Sequence, residues 1–236
     1  MNKHFLLLIC LFALTRVSAQ KPHAYFTVQE MPDAVQYLPA PPDSASMCFA
    51  YDTAQYQWGK RQRSTPRGQQ AKDDADYGIY RMATIFSPAI GITISPNTTP
   101  QLWKLLIDAT YTAGRGCDIA KAHYFRPRPY MYFNEPTLVP QDEEVLRHNG
   151  SYPSGHTTLG WVTALLLVEI CPEKENEILR IGYEYGQSRV IAGYHWQSDV
   201  TAGRLVASSC FARLHTSKAF LKQMKKAQKE FNKVRK

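Results

Sequence analysis

Residues 150–157 read Gly-Ser-Tyr-Pro-Ser-Gly-His-Thr and are followed at once by a strongly apolar segment. A Ser-Gly turn within this stretch opens a helix that we predict from Ser154 to about Ile170, ahead of Pro172. Unpaired backbone N–H groups and the helix dipole make such a helix start favourable for an anion. The stretch therefore predicts a largely buried helix with an oxyanion site at its N-terminus.

Helical patterns run through most of the remaining chain, and strand signals are scarce. Six further helices are predicted, over residues 44–61, 66–87, 99–122, 173–190, 196–214 and 217–234. Repeated prolines predict a loop over residues 126–140. The pattern predicts a single all-α domain, without internal repeats or low-complexity tracts.

The N-terminus has the features of a secretory signal peptide. A short basic start and the apolar run 5–14 predict a signal over residues 1–19, cut after Ala19, and hence a periplasmic or secreted protein. The run is too short to span a bilayer, although a membrane anchor is the competing interpretation. A lipoprotein signal at Cys10 is disfavoured because Ile9 is not the small residue that such a site requires.

Beyond the signal, the composition changes at about residue 43. Residues 20–42 are rich in proline and predict an extended arm that packs on the surface or on a partner, and residues 43–236 form the helical domain. Four cysteines follow the predicted cleavage point: Cys48, Cys117, Cys171 and Cys210. Export permits disulfides, but all four lie in or beside apolar helical segments, so disulfides and free buried thiols are both open. No Cys/His spacing indicates a zinc site.

The chain carries a formal charge of +8, and much of the excess lies in the last predicted helix. A solvated helix face explains this charge better than nucleic-acid binding does. A mildly basic protein also suits anionic phosphate substrates. The longest apolar stretch, residues 159–170, is too short for a membrane span.

Three short motifs carry the chemistry. They are Lys-x6-Arg-Pro at 121–129, Pro-Ser-Gly-His at 153–156 and Ser-Arg-x5-His-x3-Asp at 188–199. Within 79 residues they supply three cations, two imidazoles and one carboxylate. This set can hold a tetrahedral oxyanion and attack it with a histidine.

The cationic and polar members of the motifs fit a phosphoryl group. Lys121, Arg128 and Arg189 can form a positive clamp, because lysine supplies a point charge and arginine donates in pairs to phosphate oxygens. Ser154 can add a hydroxyl, and Gly155 can add a backbone N–H where a ligand approaches closely. We predict these five residues as the phosphate-binding set.

These motifs resemble the signature of the type 2 phosphatidic acid phosphatase (PAP2) superfamily, which also includes the vanadium haloperoxidases. Segments 150–157 and 186–199 are similar to the fingerprints of the bacterial class A non-specific acid phosphatases. The similarity runs from about Leu38 to the C-terminal helix. It implies a single-domain helical bundle of the PAP2/haloperoxidase type.

The resemblance also implies roles for the remaining motif residues. His195 is the expected nucleophile that forms a phosphohistidine, and Asp199 orients its ring. His156 is the expected general acid and base. No metal or other cofactor is expected, because the three cations can do what Mg²⁺ does elsewhere and the sequence shows no cluster of metal ligands. The pocket-lining roles of five nearby residues are less secure, since packing or surface positions explain them equally well: His123, Arg126, Tyr152, Tyr194 and Trp196.

The predicted function is hydrolysis of organic phosphate monoesters, such as nucleotides, sugar phosphates and aryl phosphates, with phosphotransfer to alcohols as a further activity. The expected partners are these small molecules and, in addition, further copies of the chain in a homo-oligomer; no nucleic acid and no membrane span is expected. A vanadium-dependent haloperoxidase is one alternative, but such chains are generally much longer. A lipid or undecaprenyl pyrophosphate phosphatase is another, and a phosphate-capturing module without turnover is a third.

Overall fold

A computed structural model describes residues 21–235, which are helical in most segments and contain no strand. The predicted signal peptide over 1–19 lies outside the described residues. The helices in chain order are α1 (Ala34–Tyr37), α2 (Met47–Gln62), α3 (Pro66–Asp73), α4 (Ile79–Ile90), α5 (Pro100–Gly114), α6 (Asp118–Tyr124), α7 (Pro129–Phe133), α8 (Glu143–Arg147), α9 (Gly155–Ile170), α10 (Glu175–Ala192), α11 (Gln197–Leu214) and α12 (Lys218–Val234). The predicted all-α class is therefore confirmed.

Helix α9 lies at the centre of the bundle and packs against α5, α10 and α11. It is apolar on nearly all sides because it meets neighbours on nearly all sides. Its contact with α10 is close, since a Cβ added to Gly160 would lie 2.3 Å from Cδ1 of Tyr185. The predicted helix therefore forms the structural core, and its N-terminus is held in a fixed place.

Short polar side chains begin several of these helices. Ser46, Ser154 and Ser217 each accept a hydrogen bond from a backbone N–H in the first turn of α2, α9 and α12. Such caps each stabilise a helix by roughly 1 kcal/mol, because they satisfy donors that have no partner within the helix. The four predicted helices from residue 154 onward match α9 to α12 to within a few residues.

The single helix predicted over 66–87 is wrong, because the chain breaks between α3 and α4. The side chain of Asp76 accepts a hydrogen bond from the backbone N–H of Gly78 at 2.7 Å, which makes a turn of the kind that aspartate favours. Helix α4 then continues past residue 87 to Ile90, where Gly91 ends it in the left-handed conformation at φ 71°.

Two other boundaries also differ from the prediction. The helix predicted over 99–122 is interrupted by a 3-10 turn, Arg115–Cys117, so that Lys121 lies on the separate helix α6. A continuous helix is disfavoured here by the glycines at 114 and 116. The predicted loop 126–140 contains the short helix α7, which starts at Pro129 because proline suits the first helical position.

The proline-rich arm lies along α5. His23 donates its backbone N–H to Asp108 at 2.9 Å, and Tyr25 donates its own to Thr112 at 3.0 Å. The arm is not wholly extended, because it contains a 3-10 turn and helix α1. Three of its side chains are buried in the main core: Met31, Ala34 and Leu38. The domain boundary at residue 43 stays a prediction.

The final helix, α12, packs on α5, and its side chains Phe220 and Phe231 are buried in the main core. Its basic residues from 218 to 235 lie on the exposed side, as a solvated face requires. Within residues 21–235, no helix is long and apolar enough to cross a membrane. The four cysteines described are free thiols; Cys48 is exposed and the other three are buried.

Candidate active site

The three motifs meet in space around one cavity of about 900 Å³. Six of the predicted site residues line it: Lys121, Arg128, Gly155, His156, Arg189 and His195. The other two, Ser154 and Asp199, are fully buried. The elements that carry them are α6, the N-terminus of α9, the C-terminus of α10, the first turn of α11 and the loops between them. The fold thus brings together side chains from positions far apart in the sequence.

Arg128 is held by main-chain oxygens and points its fork at His195. It is 2% exposed, and its Nε donates to the carbonyls of Leu146 and Asn149. Its Nη1 donates to the Tyr194 carbonyl at 3.2 Å and lies 3.1 Å from Nε2 of His195. Several bonds therefore fix one guanidinium and leave its remaining donor capacity for a ligand.

Arg189 has buried N–H groups without a partner. Its side chain is 4% exposed, and its Nε and Nη1 have no hydrogen-bond partner among the described residues. The guanidinium lies over the ring of Tyr194, with 4.2 Å between its Cζ and the ring centroid. An unpaired buried donor is costly, and the cost is larger for a charged group. An anion in the cavity can satisfy these donors, which makes Arg189 a preformed binding group.

The start of α9 adds neutral groups to this cationic surface. Ser154 Oγ caps the helix by accepting from the N–H of Thr157 at 3.3 Å, and it also accepts from that residue's hydroxyl. Gly155 is the first residue of the helix, and a Cβ added there would lie 3.7 Å from Cε of Lys121. A side chain at this position would therefore stand between the backbone N–H groups and the cation.

His195 lies in the turn between α10 and α11. Gly193 ends α10 at φ 91°, a left-handed conformation that glycine adopts without strain. The chain reverses there, and the imidazole is buried at 3% exposure. Arg128 can only donate to Nε2, so Nε2 is the acceptor and Nδ1 carries the hydrogen. Nδ1 lies 3.3 Å from Oδ2 of Asp199. In the free enzyme the Nε2 lone pair therefore accepts from Nη1 of Arg128.

Asp199 belongs to a buried charge network that the sequence did not reveal. Its Oδ1 pairs with Nη1 of Arg126 at 2.6 Å, and Nη2 of Arg126 pairs with Asp52 at 2.8 Å. Asp52, on α2, also accepts from the backbone and hydroxyl of Ser198. Two carboxylates share one guanidinium, so the network has one excess negative charge beside His195. That charge favours a cation on the imidazole.

His156 lies across the cavity on the first turn of α9. Its Nε2 is 2.7 Å from the carbonyl oxygen of Asp74, and its ring stacks on Tyr185 with 4.5 Å between the centroids. Asp74 and Tyr185 were not singled out from the sequence, since neither belongs to a motif. Both come from segments that only the folded chain brings beside α9.

Burial and like charges perturb the titration of the site. Burial, followed by the charge of Arg128, lowers the pKa of Lys121 to about 8. Burial alone is the main cause that lowers the pKa of Arg128 to about 10. Burial also holds the pKa of His195 well below the ordinary histidine value, and Arg128, Lys121 and Arg189 add to this. Burial, followed by the charge of Arg189, also holds the pKa of His156 well below the ordinary histidine value. All of these shifts disfavour positive charge, so a bound phosphate dianion relieves a crowded set of cations.

The five less secure residues have different surroundings. His123 is exposed, as a surface position predicts. The surface position considered for Arg126 is wrong, because it is buried in the charge network. The three aromatic side chains, Tyr152, Tyr194 and Trp196, are all buried, and each donates a hydrogen bond to a backbone carbonyl. Packing is therefore their observed role, and Tyr194 also supports Arg189.

Metal ligands are not grouped in the part of the chain that the structure describes. Within residues 21–235, no three or more His, Cys, Asp or Glu side chains are placed to hold one ion. The cavity is lined by the three cations of the motifs and also by four aspartates, which are not grouped around one point: Asp73, Asp76, Asp118 and Asp142. Metal-independent catalysis stays a prediction, to be tested by chelation.

Comparison with known proteins places these features in one family. The sequence matches the PAP2 superfamily over residues 102–222, a range that contains all eight predicted site residues. A non-specific acid phosphatase of Providencia stuartii is 45% identical over 92% of this chain and 88% of its own length. A non-specific acid phosphatase of Salmonella typhimurium is 41% identical over 98% of this chain and 93% of its own length. An acid phosphatase of Zymomonas mobilis is 34% identical over 96% of this chain and 90% of its own length.

Proposed function

Because the chain belongs to the PAP2 superfamily, we propose that it is an acid phosphatase that hydrolyses phosphate monoesters through a phosphohistidine on His195. Its relatives are named non-specific acid phosphatases, and acid phosphatases are phosphoric monoester hydrolases. The observation that carries the proposal is the convergence of three cationic side chains and one histidine lone pair on a single cavity. The finer steps below are inferred from that geometry.

In the first step, the donor on Nη1 of Arg128 passes from Nε2 of His195 to a phosphoryl oxygen of the substrate, and the freed lone pair of Nε2 attacks phosphorus. The N–P bond forms as the bond from phosphorus to the ester oxygen breaks, and the electron pair leaves with that oxygen. His156 transfers a proton to the departing alkoxide. Lys121, Arg128 and Arg189 stabilise the charge on the three phosphoryl oxygens. All three are positioned before the substrate arrives, the first two by main-chain oxygens and Arg189 by the ring of Tyr194.

In the second step, water replaces the alcohol. His156, now neutral, takes a proton from the water while the water oxygen attacks phosphorus. The N–P bond then breaks, and its electron pair returns to Nε2 of His195. An alcohol in place of water would give phosphotransfer by the same chemistry. The excess negative charge of the Asp52, Arg126 and Asp199 network stabilises the cationic ring while the phosphoenzyme exists.

Broad specificity follows from what surrounds the organic part of the substrate. The three cations of the motifs gather at the phosphoryl end, whereas apolar and polar side chains are mixed in the rest of the lining: Lys72, Asp76, Tyr77, Gln141, Asp142, Val145 and Leu159. Tyr77 and Val145 are 67% and 76% exposed, so they restrict the leaving group little. Nucleotides, sugar phosphates and aryl phosphates all fit this description. The composition of residues 1–19 supports export to the periplasm or beyond the cell.

Turnover of a panel of phosphate monoesters tests the proposal. Vanadate should inhibit competitively, because it resembles the phosphoryl transition state, and EDTA should leave the activity unchanged. Arg189→Met should lower kcat/KM by roughly a hundredfold or more, the scale of losing one fixed donor to the transition state. Arg180→Met, an exposed arginine on the same helix, is the matched control and should remain active.

Three results would contradict the proposal. Loss of activity on chelation, restored by Mg²⁺ or Zn²⁺, would assign the catalysis to a metal. Halide oxidation with added vanadate, in a protein that does not turn over monoesters, would indicate a haloperoxidase. Turnover confined to lipid pyrophosphates in detergent would indicate a lipid phosphatase.

A further inference from the structure

The imidazole of His156 is held by a main-chain oxygen and not by a side chain. Its Nε2 lies 2.7 Å from the carbonyl oxygen of Asp74. A carbonyl can only accept, so Nε2 must carry a hydrogen in both the neutral and the cationic ring. The nitrogen that gains and loses a proton is therefore Nδ1.

A second contact fixes the plane of the same ring. His156 stacks on Tyr185 with an interplanar angle of 14°. The hydroxyl of Tyr185 donates to the carbonyl of Asp76 at 3.0 Å, so the stacking partner is tied to the segment that holds Nε2. A rotation of the imidazole would break the hydrogen bond and the stacking together.

The carbonyl of Asp74 is itself held in place by its own side chain. Asp74 directly follows α3, where the last carbonyls have no partner within the helix. Its Oδ1 accepts from Arg81 on α4, at 2.6 Å from Nη2 and 3.1 Å from Nε. Its Oδ2 accepts from the hydroxyl of Ser188 on α10 at 2.6 Å, and Arg67 donates to that hydroxyl at 2.9 Å. The carboxylate is 1% exposed.

Electrostatics at this position also suit a proton donor. The end of a helix carries partial negative charge, which stabilises a cation that touches it. His156 needs such support, because it faces the charge of Arg189 across the cavity. The end of α3 thus favours the imidazolium that the first step consumes.

From these contacts we propose that Asp74 is the positioning residue of the general acid, and that Nδ1 of His156 is the atom that transfers the proton. The proposal rests on the proposed function of the site. Nδ1–H protonates the leaving oxygen, and the ring remains as its Nε2–H tautomer, still bonded to Asp74. The same Nδ1 then takes a proton from water in the second step. No rotation of the ring is needed between the two steps.

The leaving group offers a readout that a merely structural role would not move. An alkyl phosphate needs protonation of its alkoxide, whereas 2,4-dinitrophenyl phosphate releases a stable anion without it. Asp74→Ala should lower kcat/KM, which reports the first phosphoryl transfer alone, at least about tenfold more for the alkyl ester than for the aryl ester. This is less than the roughly 10²–10⁴-fold contribution of a complete general acid, because the imidazole is displaced and not removed. Arg81→Ala should act in the same direction and tests the clamp if Asp74→Ala does not fold. Arg180→Ala, another arginine paired on the surface, should change neither value.

Equal losses on both esters in Asp74→Ala and Arg81→Ala would overturn the positioning role. The tautomer is tested separately by long-range ¹H–¹⁵N spectra of the wild-type protein. A hydrogen on Nε2 and none on Nδ1 of neutral His156 is expected, and the reverse would overturn the assignment of Nδ1. These spectra need no turnover. A failure of the phosphohistidine mechanism would appear instead as loss of phosphoenzyme on His195, independently of the spectra.

Discussion

At the scale of single residues, the nucleophile depends on a carboxylate that serves two partners. Asp199 pairs with Arg126 through Oδ1 and approaches Nδ1 of His195 through Oδ2. The backbone N–H of Trp196 also donates to Oδ2 at 2.8 Å. The aspartate therefore links the start of α11, a buried cation and the reacting ring. Removing its charge should affect both stability and chemistry.

Asp199→Asn should lower kcat by roughly a hundredfold or more, because an amide can hold the wrong tautomer of His195. Asp52→Asn is the matched control, since Asp52 shares Arg126 but does not contact His195. Each change leaves Arg126 short of one carboxylate, and breaking a buried pair costs roughly 3–5 kcal/mol of unfolding free energy. Urea unfolding should thus show a similar loss of unfolding free energy in Asp199→Asn and Asp52→Asn, whereas kcat should fall much more in Asp199→Asn. Equal losses of kcat would show that Asp199 acts only through the network.

The cation of Lys121 should make anion binding depend on pH. Its pKa is lowered to about 8 by burial and by Arg128, so it loses its charge in the free enzyme as the pH rises through that value. The inhibition constant of phosphate should therefore increase more steeply above pH 8 in the wild type than in Lys121→Met. Inhibition constants measured from pH 6 to 10 would decide this. Parallel curves for the two proteins would contradict the role of Lys121.

At the scale of helices, the site depends on the close contact between α9 and α10. A methyl group at Gly160 would lie 2.3 Å from the ring of Tyr185, and that ring stacks on His156. Gly160→Ala should therefore destabilise the protein by about 1–3 kcal/mol, the usual cost of overpacking, and should also lower kcat.

Gly91→Ala, at the end of α4, is the control for Gly160→Ala. Gly91 has a φ of 71° but no atom within 4 Å of an added Cβ, so the cost there is backbone strain alone, about 1–2 kcal/mol. Its kcat should equal that of the wild type. Denaturant unfolding and kcat for both variants check the pair. A wild-type kcat in Gly160→Ala would show that the position of Tyr185 is not needed.

A cap, a sustained apolar pattern and a proline or glycine at the end are the local signals that fix the bounds of a helix. Helix α9 has all three. The break after α3 has a local signal, the turn of Asp76 and Gly78, which the helix predicted over 66–87 does not take into account. The bond from Ser188 to Asp74 also stabilises it, and that partner is remote in sequence. A motif contains only residues that lie close together in the sequence. The motifs therefore identified the reacting histidines, but they could not identify Asp52, which is remote from them in the sequence.

At the scale of the whole molecule, the fold separates two kinds of positive charge. The cations of α12 are exposed and hydrated, whereas those of the cavity are buried against the centre of the bundle. Burial destabilises the protonated forms of His156 and His195, and a bound phosphate dianion stabilises them. The activity should therefore depend on pH differently in the free enzyme and in the complex.

The optimum of kcat/KM should lie below about pH 6.5, the ordinary histidine pKa. The active form needs His156 protonated, and a lowered pKa means that this proton is lost as the pH rises, at a lower value than usual. The alkaline limb of kcat should lie at higher pH than that of kcat/KM, because the bound phosphate raises the pKa of His156. In His156→Ala, assayed with an activated aryl ester, the alkaline limb should disappear. An optimum of kcat/KM above pH 7 would contradict this assignment.

The central claim is that His195 carries the phosphoryl group during turnover. The most direct test mixes the protein with an activated aryl phosphate, stops the reaction with denaturant within milliseconds and maps the phosphate by mass spectrometry at alkaline pH. Phosphate should be found on His195 in the wild type and should accumulate in His156→Ala, because that variant lacks the base for the second step. His195→Ala should carry none. Phosphate retained by His195→Ala, or found on another residue of the wild type, would contradict the account.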